Sequence, residues 1–178
     1  MNKTLILFST IFVLFAFVTS IEWKITNKND VKILFQLVNE GTKGSFNEIE
    51  TTILFDKKNL KESKIKAIVN VKSLSTENKG RDEHLLNPDF FDSEKYPTIT
   101  FESTEIKSSE KGFVAIGNLT MKEKTQTIEI PFEFSEDDKG KANFNGKMQI
   151  SPFQYEVIKN KKGENELVNV TIEVPLSK

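Results

Sequence analysis

The chain has 178 residues and a formal net charge of −1, so it suits one domain and lacks the basic surplus of a nucleic-acid binder. With no cysteine it has no disulfide staple, no thiolate metal site, no cysteine nucleophile and no lipidated N-terminal cysteine. Its single histidine excludes a multi-histidine metal site and leaves little for a hydrolytic triad.

The first twenty residues read as an address. Lys3 gives a positive start, Leu5 to Val18 carries no charge, and Val18-Thr19-Ser20 supplies small residues for a signal peptidase. Cleavage after Ser20 is the expectation, leaving residues 21–178 as one exported domain in the periplasm or outside the cell. A helix over the apolar run spans about 21 Å, short of the roughly 30 Å hydrocarbon core. A retained anchor is the other reading.

Beyond Ser20 the apolar residues recur with period two, the mark of strands with one buried face. In chain order, Val31, Ile33, Phe35 and Leu37 are followed by Ile49, Thr51, Ile53 and Phe55, then by Ile65, Ala67, Val69 and Val71. Ser75 to Leu86 breaks the rhythm and reads as a helix with Ser75 or Thr76 as its N-cap. Asn87-Pro88 begins a further turn, and Tyr96-Pro97 returns the chain to extended geometry. Strands resume at Ile99 and Phe101, continue through Phe113–Leu119, whose two faces are both apolar, and then through Ile128, Ile130, Phe132 and Phe134. Pro131 inside that strand predicts a bulge or an exposed edge. Ala142 to Ile150 and Val168 to Val174 complete eight strands, with Gln154–Ile158 as a further short candidate.

Eight antiparallel strands around a helical insertion predict an all-β, closed up-and-down barrel, with a two-sheet sandwich as the alternative. A barrel of this size is filled by its own side chains or holds one small ligand. The inward positions expected to line such a site are Phe35, Ile53, Phe55, Val69, Phe101, Phe132, Phe144, Met148 and Ile172, with Ala67, Ala142 and Gly146 between large neighbours. A solid core accounts for the same pattern, because large and small residues pack together.

A specific run of words points further. Gly44-Ser45-Phe46 with Ile53-Leu54-Phe55-Asp56 is followed by Ser73-Leu74-Ser75-Thr76 and Arg81-Asp82-Glu83-His84-Leu85. Asp89-Phe90-Phe91-Asp92, Lys95-Tyr96-Pro97, Ile99-Thr100-Phe101-Glu102-Ser103 and Gly117-Asn118-Leu119-Thr120-Met121 continue the series. This ordered set resembles the YceI-like polyisoprenoid-binding proteins, from about Ile21 to Leu176. The resemblance implies a lipocalin-like barrel holding a long isoprenoid or related lipid, for transport or storage. Two stretches depart from the family pattern. Ser151-Pro152-Phe153-Gln154-Tyr155 stands where many members carry an Asn-Arg pair and an aromatic-Gly step, and Thr26-Asn27-Lys28-Asn29-Asp30 stands where many have an Asp and a His. Both weaken the transfer of a head-group site.

Arg81 and His84 share a helix face by their i,i+3 spacing and are the candidates to hold a phosphate or carbonyl head group at the barrel mouth. Equally, Arg81 and Asp82 could pin the insertion to the rim. Asp82 and His84 lie about 200° apart on a helix and make a poor acid–base pair. The sequence therefore calls for no catalytic residue, metal or cofactor. The expected partners are a lipid and, in passing, a membrane surface, with no nucleic acid. The competing reading is a ligand-free structural or stress-related interaction module with a solid core.

Overall fold

The computed structural model describes residues 21–159 and 164–178. The address at 1–20 and residues 160–163 lie outside the described residues. Eleven strands form one antiparallel sheet: β1 (Glu22–Ile25), β2 (Lys32–Leu37), β3 (Lys43–Phe46), β4 (Ile49–Leu54), β5 (Lys64–Asn70), β6 (Leu74–Ser75), β7 (Thr98–Ser109), β8 (Gly112–Met121), β9 (Lys124–Glu136), β10 (Lys141–Ile150) and β11 (Val168–Ser177). One helix, α1 (Lys79–Leu86), follows β6.

The eleven pieces make eight staves. β1 and β2 both pair with β11, through Ile25 with Leu176 and Ile33 with Ile172, so together they form one stave interrupted by the turn Lys28–Asp30. β4 and β3 pair with them in turn, and β5 and β6 form the third stave across the turn Val71–Ser73. β7 to β11 complete the circuit, and the β1–β11 pairing closes it. The product is a closed eight-strand antiparallel barrel. All eight expected strands are present, while β1, β3 and β6 add to them. Closure leaves the sandwich without support.

The register settles the doubly apolar segment. Ala115, Gly117, Leu119 and Met121 of β8 are buried inward, and Val114 and Ile116 are half-buried outside. Pro131 is exposed on β9, which pairs with β8 from Lys124 to Phe132 but with β10 only from Phe132 to Glu136. Pro131 therefore occupies an edge, as its missing N–H favours.

Two local expectations are corrected. The helix begins at Lys79, because Ser75 is paired with Ser45 in the sheet and Glu77 takes a left-handed backbone (φ 58°) between strand and helix. Asn78 is the N-cap, its Oδ1 accepting from the Arg81 N–H at 3.0 Å. The segment Gln154–Ile158 is not a strand: Pro152 opens a tight turn through Tyr155, and Glu156 ends it with φ 56°. At Asn87-Pro88 the expected turn forms, with the Asn87 carbonyl accepting from the N–H groups of Phe90 and Asp92.

The lower end of the barrel, where β7 meets β8 and β9 meets β10, is a dense aromatic knot. Trp23 meets Phe134 edge-on at 5.0 Å between centroids, and Phe55 meets Phe113 at 5.0 Å and Phe134 at 4.7 Å. The Trp23 indole N–H donates to the Phe55 carbonyl at 2.9 Å, so this buried polar group is satisfied. At the upper end α1 and the turns around it fold over the rim, where Phe91 sits edge-on against Phe46 at 5.9 Å.

Candidate functional site: the barrel cavity

Above the aromatic knot the inner face does not fill. A cavity of about 110 Å³ runs between β4, β5, β7 and β8 on one side and β10 and β11 on the other. Its wall is built by the pleat: each of these strands sends every second side chain inward. Isoleucine, valine, leucine, methionine and phenylalanine make up nearly all of it, and Thr51 alone brings a hydroxyl. Such a space suits a chain that needs no polar partner along its length.

Six expected lining residues bound the cavity: Ile53, Val69, Phe101, Phe144, Met148 and Ile172. Phe55 and Phe132 do not. They belong to the aromatic knot, where Phe55 is 1% exposed and Phe132 lies 5.5 Å from both Phe55 and Phe113. Phe35 does not either. It is half-buried, tilted against Phe46 at 5.6 Å, and fills the space over Gly44, its register partner on β3. Gly146 leaves no opening, since a Cβ there would meet Phe144 at 3.1 Å and Ile130 at 3.2 Å. Ala67 is the small residue that does leave space: it is half-buried and lines the cavity. Phe46, Leu119 and Met121 also line it; β3 has no alternation in the sequence and β8 is apolar on both faces, so only the register identifies them.

The two head-group candidates stand apart from this space. Arg81 is exposed and already engaged, its Nε donating to Thr76 Oγ1 at 2.8 Å and its Nη2 to the Thr76 carbonyl at 2.9 Å. Asp82 accepts from the Thr76 N–H at 2.8 Å and from its hydroxyl. The pair thus clamps the start of α1 onto buried Thr76 at the end of β6. His84 is exposed, with its ring edge-on to Phe90 at 4.9 Å. Neither side chain lines the cavity.

Lys122, in the turn between β8 and β9, holds the upper loops together and has no sequence signature. Its Nζ donates to the Phe90 carbonyl at 2.7 Å and the Glu156 carbonyl at 3.0 Å. Partial burial, with Lys159 nearby, pushes its ammonium below the ordinary lysine range. Beside it, Tyr155 is fully buried, and its phenol, pushed up to about 12 by that burial, has no hydrogen-bond partner among the described residues.

A closed eight-stave antiparallel barrel with an apolar interior and one short helix at its rim places the chain among small closed β-barrel domains. Comparison narrows the class: residues 23–177 match the YceI-like domain, and the chain belongs to that family. A UPF0312 protein of Yersinia enterocolitica is 36% identical over 87 residues, 49% of this chain and 45% of that protein, so the match spans about half the relative's length. Among solved structures, Burkholderia cenocepacia BcnA shares the fold with a TM-score of 0.77 at 20% identity, covering 85% of this chain and 99% of BcnA. A polyisoprenoid-binding domain from Saccharophagus degradans, implicated in plant cell wall breakdown, has a TM-score of 0.63 at 9% identity and covers 88% of this chain and 97% of that domain.

Proposed function

We propose that this protein binds the apolar chain of an isoprenoid or related lipid inside its barrel and carries or stores it outside the cytoplasm. The observation that carries this reading is the cavity inside the closed barrel, with its almost wholly hydrocarbon wall. Each methylene moved there from water contributes about 0.8 kcal/mol, so five supply on the order of 4 kcal/mol before the cost of ordering the chain. A cavity of about 110 Å³ takes a short segment of such a chain. The remainder leaves through the rim beneath α1, or the upper staves spread around it. The polyisoprenoid chemistry named for the Saccharophagus domain makes an isoprenoid the first chain to seek. Export ahead of residue 21 and brief contact with a membrane surface complete the reading, since the cargo resides in membranes. No catalytic role is assigned.

Native mass spectrometry and organic extraction of purified protein test it. A stoichiometric co-purifying lipid is the expected result. The second reading, a container-shaped module without cargo, draws on the aromatic knot that fills the lower barrel and the small volume above it. Protein that is lipid-free on purification, and that takes up no apolar dye, would decide for that module.

A further inference from the structure

Thr51 lies midway along β4 between Ile49 and Ile53, and it is the one hydroxyl among the described residues that line the cavity. Its Oγ1 is enclosed and has no hydrogen-bond partner among the described residues. A buried hydroxyl without a partner is unfavourable, and valine would keep the same branched shape in the same strand without that penalty. For a cargo that is hydrocarbon throughout, the wall would be better without this oxygen. The neighbourhood is also open where it matters. Thr51 faces Ala67 across the β4–β5 pair, and Ala67 is the small residue that leaves space at the cavity surface. Thr51 is itself only half-buried, and rotation about its Cα–Cβ bond exchanges the positions of methyl and hydroxyl.

Resting on the lipid-binding reading above, we infer that Thr51 is a hydrogen-bonding point for the cargo. The chain held here bears an oxygen function, a hydroxyl or a carbonyl, at the depth of Thr51, and the space over Ala67 admits it. Thr51 then sets which apolar chains are preferred and where along their length they stop, while the rest of the wall supplies affinity without selection.

The test uses two defined probes, a mid-chain ketone and the alkane of equal length, each displacing an apolar fluorescent dye from delipidated protein. Thr51→Val should weaken the ketone about 3–10-fold, the value of one neutral hydrogen bond, and leave the alkane unchanged or tighter. Thr51→Ser, which keeps the hydroxyl, should retain most of the preference for the ketone. A thermal melt of Thr51→Val no lower than the parent's shows that the loss is not unfolding. An equal change for ketone and alkane overturns the role of Thr51 while leaving the lipid-binding reading standing. Failure of both probes to displace dye from the parent overturns that reading, and this inference with it.

Discussion

The rings of Phe132 and Phe144 stack at 4.5 Å between centroids and 22° between planes, and the contact marks where the solid part of the barrel ends. Phe144 bounds the cavity; Phe132, one strand away on β9, does not, and is buried against the rings of Phe55 and Phe113. Truncating a ring that is packed on all sides removes both its burial and its contacts. Phe132→Ala should therefore cost about 3–5 kcal/mol. Phe101→Ala should cost less, because that ring already faces empty space. Urea midpoints of the two variants check this, and equal losses would mean that the lower barrel is not packed as described.

Filling the cavity should separate binding from stability. Ala67→Leu places a branched side chain in the open space and should leave the empty protein as stable as the parent or slightly more so. Lipid content and dye uptake should fall together. Gly146→Phe is the control for overpacking, since even a Cβ there is tight against Phe144 and Ile130. It should destabilise by about 1–3 kcal/mol or more. Thermal melts beside lipid extraction distinguish the two effects.

How much of this could be read from the chain follows from what each feature depends on. Alternation is local, so all eight long strands and six lining residues were legible, from Ile53 to Ile172. Phe35, Phe55 and Phe132 carry the same alternation, yet depth along the barrel decides whether an inward ring meets space or another ring. Depth depends on stagger between strands far apart in the chain, such as Trp23 beside Ile53, which no local pattern encodes. The short strand β3 was hidden because Gly41 to Gly44 has turn composition, although Gly44 is in fact the gap that admits Phe35. Arg81 was visible as a chemistry-bearing residue, but its partner, Thr76, could be identified only once the helix start was known.

The last strand offers a direct check of register. Val170 and Ile172 face the cavity, while Asn169 and Thr171 point outward. Ile172→Asp would place a carboxylate against hydrocarbon with no cation to pair it and should cost about 3 kcal/mol or more. Thr171→Asp should cost well under half of that. Denaturant melts at neutral pH compare them, and similar losses would refute the inward assignment.

Arg81 is expected to matter for the rim and not for cargo. Arg81→Ala removes both hydrogen bonds to Thr76 and should lower stability by about 1 kcal/mol, modest because the guanidinium is exposed. Arg81→Lys should recover little, since an ammonium cannot reproduce the paired geometry. Extractable lipid per folded molecule should stay at the parental level in both. A selective loss of lipid with no change in the melt would instead return Arg81 to a head-group role.

Tyr155 gives the fold a dependence on alkaline pH. Its burial holds the phenol protonated in the folded chain up to about 12, whereas an unfolded chain loses that proton near 10. Between those values the unfolded state binds fewer protons, so the contribution is fully present below pH 10 and is lost as pH rises toward 12. Tyr155→Phe keeps the ring in its buried seat beside the β8–β9 turn and removes a hydroxyl that has no partner among the described residues. At pH 7 it should be as stable as the parent or slightly more so. The parent should then lose more stability than Tyr155→Phe between pH 9 and 11. Urea midpoints for both proteins at the two pH values measure it. Parallel loss in both would show that the phenol finds a partner or reaches solvent.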